Sequence, residues 1–270
     1  MDINTTEGRR LEGKVVSVTG ASGDIGLEAC VHLAREGAIL LMSGTAMPKL
    51  EAAAAQVLSR VPNTRIETAE CDIRNEEDVE RLFATADKWG GVDVAVHSAG
   101  LCSPDDGDAV GTSEAAWDLT QQVNVKGTWL CCKHAVLSFR RNHKTTASVI
   151  NIASIVGLVG SAESQLAYTA SKGAILAMTR ELAIVHAREG FRFNSLCPGP
   201  VYSKVVAEHF VAGSHEFQRR LVHWPTGSLS TTADQAKAIV FLASDESSFV
   251  NATDFVVDGG LSKAYLCAEG

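Results

Sequence analysis

Val15-Val16-Ser17-Val18-Thr19-Gly20-Ala21-Ser22-Gly23-Asp24-Ile25-Gly26-Leu27 is the stretch on which the reading of this chain turns. Val15–Thr19 is apolar without strict alternation, the pattern of a strand covered on both faces. Gly20, Gly23 and Gly26 follow, and from Ile25 a helical pattern runs to Arg35. A glycine-rich turn between a strand and a helix lets backbone N–H groups approach a pyrophosphate where a Cβ would block them. The helix N-terminus adds partial positive charge. The same turn can also be a plain tight turn, so the rest of the chain has to decide.

The alternation repeats outward from there. Ala38–Ser43, Arg65–Ala69, Val92–His97, Ser148–Ala153, Phe191–Cys197 and a short Phe255–Asp258 read as further strands. Helical patterns lie near Lys49–Arg60, Glu76–Lys88, Ser113–Asn142, Gln165–Arg188 and Ala233–Ser244. Lys49–Gln56 is alanine-rich, and Asn75 with Asp78 resembles a capping arrangement. Parallel strands need crossovers, so the pattern predicts an α/β fold with a Rossmann-type, doubly wound, mostly parallel seven-stranded sheet and helices on both faces. No repeat, low-complexity linker or composition break is visible. The chain therefore reads as a single domain, 1–270, with a core over about 13–260.

Composition narrows the function. The 270 residues are 46% hydrophobic and 21% charged, an ordinary globular balance, and the net charge of −8 disfavours nucleic acid or anionic lipid as a partner. Met1–Arg10 has no apolar core of a secretory signal, and no apolar run approaches the ~18 residues of a membrane span. Seven cysteines, Cys30, Cys71, Cys102, Cys131, Cys132, Cys197 and Cys267, include no Cys-x-x-Cys pair. They read as reduced thiols of a cytoplasmic protein, with no metal site expected.

Thr19-Gly20-x-x-x-Asp24-x-Gly26 resembles the Thr-Gly-x-x-x-Gly-x-Gly fingerprint of the short-chain dehydrogenase/reductase family, with Asp24 at the middle glycine. Gly23, one residue earlier, relieves part of the strain, and Asp24 is expected to cap the following helix. The resemblance implies a nicotinamide dinucleotide held by Gly20, Ser22, Gly23, Asp24, Ile25 and Gly26. It implies the adenosine ribose at Ser43-Gly44-Thr45, where NAD-preferring members carry Asp at the position of Gly44 and many NADP-preferring members carry Arg at that of Thr45. Without the carboxylate a 2′-phosphate is not repelled, and Ser43, Thr45 and Ser22 can hydrogen-bond it. NADP(H) is favoured, with NAD(H) the alternative.

Cys71-Asp72-Ile73 looks like the family segment whose aspartate, here Asp72, holds the adenine amino group; a turn residue is the other reading. His97-Ser98-Ala99-Gly100 stands where the family shows Asn-Asn-Ala-Gly, with Ser98, Ala99 and Gly100 beside the cofactor. His97 is read as a structural polar group at a strand end and not as a base.

Tyr168-Thr169-Ala170-Ser171-Lys172 puts a phenol and an ammonium at i and i+4, on one face of a helix. Free tyrosine, with a pKa of about 10, is no base at neutral pH, and a nearby cation is expected to lower that value. Ser154 follows an apolar strand and should sit at its C-terminal edge, where open α/β sheets bind ligands. Asn124 lies within a helix, where asparagine is a poor fit unless it has a task. In the family these four positions form the catalytic tetrad. Ser154 would hydrogen-bond the substrate oxygen, Tyr168 would transfer the proton, and Lys172 would hold the nicotinamide ribose and tune Tyr168. Asn124 would help carry a water chain to Lys172. Pro198, Gly199, Val201 and Ser203 resemble the segment at the nicotinamide carboxamide, and Asp258-Gly259-Gly260 the closing turn.

The expected activity is hydride transfer between NAD(P) and a ketone or secondary alcohol. A substrate lid is predicted over about 202–230. Its Val205, Val206, Phe210, Val211, Phe217, Leu221 and Trp224 either face a moderately large apolar substrate or pack the lid down. The overall pattern resembles reductases of secondary metabolism. In this family the helices at Ser113–Asn142 and Gln165–Arg188 make the contacts of homodimers and homotetramers. Two rival readings are a cofactor-binding scaffold without redox turnover and a dehydratase or epimerase that uses the cofactor transiently.

Overall fold

The structure is a computed structural model that describes residues 9–161, 163–202 and 215–263. Its centre is a seven-stranded parallel sheet. In chain order the strands are β1 Val15–Thr19, β2 Ile39–Gly44, β3 Ile66–Glu70, β4 Val94–His97, β5 Ala147–Ile152, β6 Phe191–Pro198 and, after a small pair of β7 Val201–Tyr202 with β8 Ser230–Thr231, β9 Asp254–Val257. Their spatial order is β3-β2-β1-β4-β5-β6-β9. The chain winds outward from β1 through β2 to β3, then returns to place β4 on the other side of β1. That reversal opens a crevice at the C-terminal ends of β1 and β4, the place where such sheets bind ligands.

The inner strands are mostly apolar without strict alternation because their two faces feed two different cores. Val16, Val18, Leu40, Met42, Val94, Val96 and Ile150 point into one, beneath α1 Asp24–Arg35, α2 Met47–Arg60 and α8 Thr232–Ala243. Their neighbours Val15, Leu41, Ala95 and Val149 point into the other, beneath α3 Glu76–Thr85, α5 Thr128–Arg141 and α6 Leu166–Val185. Burial of each such Val or Leu contributes roughly 1.5–3 kcal/mol, so both layers hold the sheet. Asn75 does cap α3, accepting from Glu77 N at 2.9 Å and Asp78 N at 3.4 Å.

Three elements differ from expectation. Helix α1 begins at Asp24 with Gly23 in the cap position, so Asp24 is not the cap; it is the first helical residue, and no side chain caps this helix. The expected helix 113–142 is interrupted: α4 Glu114–Thr120 passes into a π-helical turn, Gln121–Gly127, before α5. Gly127 there lies so close to Ile73 that a Cβ would come within 2.6 Å of its side chain. The two short strands β7 Val201–Tyr202 and β8 Ser230–Thr231 pair in parallel and bracket the predicted lid; α7 His215–Leu221 lies between them, and residues 203–214 fall outside the described residues. Among the described residues no helix is long and apolar enough to cross a membrane.

Candidate active site

The glycine turn is built by close approach. Gly20 has φ +64°, and a Cβ on it would lie 2.8 Å from the Ala99 backbone. A Cβ on Gly26 would lie 2.3 Å from Gly20 O. Gly23 N donates to Gly20 O at 3.0 Å and closes the turn, while Thr19 Oγ1 accepts from Ala99 N at 3.3 Å and ties β1 to β4. Helix α1 therefore presents uncapped N-terminal amides at the crevice, with Ser22 exposed beside them, and these residues fit a dinucleotide pyrophosphate. Asp24 puts a carboxylate in the same first turn, where the helix dipole favours it.

At the end of β2, a Cβ on Gly44 would be 3.6 Å from Ser22 Oγ and 4.0 Å from Leu50 Cδ1, so the position has room for a side chain. Ser43 corrects an expectation: it is buried, and its hydroxyl donates to Val18 O at 3.3 Å, so it is turned away from any phosphate. Ser22 and Thr45 are exposed. Asp72 sits past β3 in a fork with Arg74, whose Nη2 and Nε donate to Oδ2 at 2.6 and 2.9 Å. Those bonds hold its carboxyl below the usual range. Ile73 is buried against Gly127.

His97 ends β4, at the position where the sequence leads to expect a structural polar group. It is buried, its Nδ1 bonds Asn151 Oδ1 at 2.8 Å, and burial pushes its pKa down to about 4. Ala99 and Gly100 continue to the crevice, where a Cβ on Gly100 would lie 3.3 Å from Asn124 Oδ1 and 3.7 Å from Lys172 Nζ.

Ser154 stands two residues beyond β5, capping a 3-10 turn at Ile155–Gly157 by accepting from Val156 N at 3.3 Å. Its side chain hydrogen-bonds the Tyr168 phenol. Lys172 is buried, donates from Nζ to Ile152 O at 2.8 Å, and lies 5.3 Å from the centre of the Tyr168 ring. Asn124, in the π turn, is buried. Its Oδ1 accepts from Leu101 N at 2.9 Å, and its Nδ2 donates to Leu101 O at 2.8 Å and to Ser171 Oγ at 2.9 Å. The four predicted side chains thus meet around one edge of the sheet.

The electrostatics differ from the expected picture. Burial raises the Tyr168 pKa to about 12, helped by the Cys102 thiol and opposed by the bond to Ser154. Burial also lowers Lys172 to about 8. A lysine at this distance does not by itself make the phenol acidic, because desolvation acts on both groups and drives each toward its neutral form.

Pro198 ends β6, and Gly199 is pressed against the closing turn, where a Cβ would meet Asp258 at 2.7 Å. Asp258 accepts from Gly260 N at 2.8 Å and Ser262 N at 2.7 Å, the structural role expected of it. Val201 is buried in β7, and Ser203 lies outside the described residues. Two more residues contribute: Gly157, one of the glycines after Ser154 that resemble the family's serine segment, and Cys102, whose thiol the sequence does not single out. Gly157 lets the 3-10 turn touch α6, and Cys102 places a thiol near both Tyr168 and Lys172. Glycine after the serine is a local hint of the first, whereas nothing local marks the second. Among the described residues no group of three or more His, Cys, Asp or Glu is placed to hold a metal ion, and Cys30, Cys71, Cys102, Cys131, Cys132 and Cys197 are free thiols.

Comparison with known proteins bears on this geometry. The family model described as Enoyl-(Acyl carrier protein) reductase matches residues 20–262. 2-(S)-hydroxypropyl-CoM dehydrogenase 3 of Xanthobacter autotrophicus is 34% identical over 260 residues, 94% of this chain and 98% of its own. Levodione reductase of Leifsonia aquatica is 29% identical over 262 residues, 95% of this chain and 97% of its own. A crystal structure of levodione reductase superposes with a TM-score of 0.87 at 28% identity, covering 94% of this chain and 100% of that one. Likeness of this extent, from the glycine turn to beyond β9, makes the chain a member of the short-chain dehydrogenase/reductase family and an NAD(P)-dependent oxidoreductase of CH–OH and C=O groups.

Proposed function

We propose that Tyr168 is the general acid of ketone reduction, and the general base of the reverse reaction, in an NADP(H)-preferring enzyme. The observation that carries this is the meeting of Ser154, Tyr168 and Lys172 at the sheet edge that also holds the glycine turn. Ser154 donates to the carbonyl oxygen and fixes its distance from the phenol. Tyr168 gives that oxygen its proton. Lys172, charged at neutral pH with a pKa of about 8, favours the phenolate that remains. Bound NAD(P)H supplies the hydride. Asn124 holds Leu101 and Ser171 in place between the π turn and α6, within reach of a water chain to Lys172. Tyr168→Phe removes the transferable proton and is expected to lower kcat by about 100-fold or more with cofactor affinity kept. A Phe variant with wild-type turnover would defeat the reading.

The amides of Ile25 and Gly26 cradle the pyrophosphate on the turn formed by Gly20, Ser22 and Gly23, Asp72 meets the adenine, and Ser98, Ala99 and Gly100 line the crevice. Tyr168 and Lys172 meet the nicotinamide ribose, and Pro198, Gly199, Val201 and Ser203 the carboxamide. With Ser43 turned inward, the preference for NADP(H) rests on the missing carboxylate at Gly44 and on the hydroxyls of Ser22 and Thr45.

A moderately large apolar substrate is supported by Leu158 and Val159, exposed after the turn that Ser154 caps, and by Tyr202, exposed where the predicted lid begins. Phe217 and Trp224 instead pack edge to face on each other at 5.7 Å, a contact within the lid itself. Such a substrate suits a reductase of secondary metabolism. Trp117, Trp129, Leu137, Ile184 and Val185 remain exposed on α4, α5 and α6, and Trp129 lines a groove of about 450 Å3 together with Val125 and Met178. A homotetramer or homodimer through these helices would cover them; light scattering on the purified protein tests it. We place the enzyme in the cytoplasm, as one domain acting on small molecules.

A further inference from the structure

The helix that bears Tyr168 and Lys172 has no cap of its own. Helix α6 begins at Leu166, and Gln165 before it makes no side-chain hydrogen bond to the first turn. The leading amides are instead taken by a distant loop. Leu166 N donates to Gly107 O at 3.0 Å, Ala167 N to Asp106 Oδ1 at 2.9 Å, and Tyr168 N to Asp106 Oδ2 at 2.9 Å. Thr112 Oγ1 donates to Asp106 Oδ1 at 3.2 Å and holds the carboxylate from behind. Both oxygens of Asp106 are thus used on the catalytic helix, at the end where a negative charge is favoured.

The same loop is pinned at its other end. Asn124 grips Leu101 through both its N–H and its C=O. Leu101 to Asp106 is therefore an arch with one foot on the π turn and the other on the first turn of α6, and it carries Cys102 toward Tyr168. Tyr168 is the third residue of its helix, in the turn that frays when its amides lack partners.

We infer that Asp106 is a positioning residue for the proton transfer: by capping α6 from the arch, it fixes the height and angle of the Tyr168 phenol against Ser154. Both its oxygens accept from amides of the helix, so it acts on the phenol through the backbone of α6. The inference rests on Tyr168 being the proton donor.

Full-length wild type, Asp106→Ala, Asp106→Asn and Tyr168→Phe are to be compared in two measurements. In amide hydrogen exchange, Asp106→Ala should speed exchange over Leu166–Thr169 and leave Leu176–Val185 protected, and Asp106→Asn, which keeps one acceptor oxygen, should fall between. In turnover of a probe ketone, cyclopentanone, with NADPH and with NADH, Asp106→Ala should lower kcat by between about 10- and 100-fold. KM for the ketone and cofactor affinity should stay near wild type, and Asp106→Asn should recover part of the loss. Unchanged exchange at Leu166–Thr169 overturns the inference whatever the turnover. So does faster exchange with full kcat, or a loss that falls equally on KM and cofactor affinity. An inactive Tyr168→Phe beside a fully active Asp106→Ala removes Asp106 alone, whereas an active Tyr168→Phe removes the reading of Tyr168 and this inference with it.

Discussion

Gly157 stands against the backbone of Lys172: a Cβ on it would come within 2.9 Å of the Lys172 carbonyl carbon and 3.0 Å of its oxygen. This contact sets how closely the turn that begins at Ser154 can approach the helix that carries Tyr168. Backbone cannot swing aside as a side chain can. Gly157→Ala is therefore expected to cost about 1–3 kcal/mol of stability by overpacking. It should also lower kcat by about tenfold or more as Ser154 moves away from the phenol. Urea unfolding and steady-state kinetics on the same preparation check both; an alanine variant with native stability and rate would show that the contact is slack.

The buried lysine gives stability a pH signature. Lys172 has a folded pKa of about 8 against an ordinary value of 10.5. Between those values the unfolded chain binds more protons at this site than the folded one, so the Lys172 contribution to stability rises with pH across that window. Below about pH 8 the full cost of burying the cation is present. Lys172→Met should remove this rise while abolishing turnover. Unfolding midpoints of the two proteins from pH 7 to 10 provide the comparison, and parallel curves would refute it.

Cofactor choice is open to a single substitution. Gly44 has room for a side chain and stands where an acidic residue would face the adenosine ribose. Gly44→Asp is expected to weaken NADPH binding by about tenfold or more, through repulsion of the 2′-phosphate, and to strengthen NADH. Fluorescence titration with both nucleotides measures the shift. Equal effects on the two would place the ribose elsewhere.

Asp24 shares the N-terminus of α1 with the proposed pyrophosphate site. Asp24→Asn should tighten binding of either dinucleotide, most clearly at low salt, where screening is weakest. The same change should cost about 0.3–1 kcal/mol of stability, because the helix dipole loses its anion. Affinity measured across a salt series separates the two effects, and an affinity indifferent to both the substitution and salt would count against the arrangement.

Much of this was legible because the signals are local. Each inner strand lies between two apolar layers, so Val15–Thr19 and Val149–Ile152 show as mostly apolar runs without strict alternation, and the glycine turn joins adjacent elements. Ser154, Tyr168 and Lys172 fall at a strand edge and along one helix, where spacing carries geometry. What was misread depends on backbone register or on remote partners. Gly23 rather than Asp24 takes the extended cap conformation, which moves the acid one position into the helix. Ser43 is turned inward by the pairing that sets it beside Thr19, next to the Val18 carbonyl it binds. Asp106 meets Tyr168 across 62 positions, and no local pattern announces such a partner.

The wide turn at Gln121–Gly127 carries one further consequence. Such a turn amounts to a surplus residue in an otherwise ordinary helix, and each residue rotates a helix by about 100°. Deleting one residue there would give smoother winding and better hydrogen bonding, yet it would swing Asn124 away from Leu101 and Ser171. The cure for the local irregularity would loosen the arch above the phenol. A shortened protein that melts higher and turns over less would mark this segment as a place where durability has been given up for chemistry.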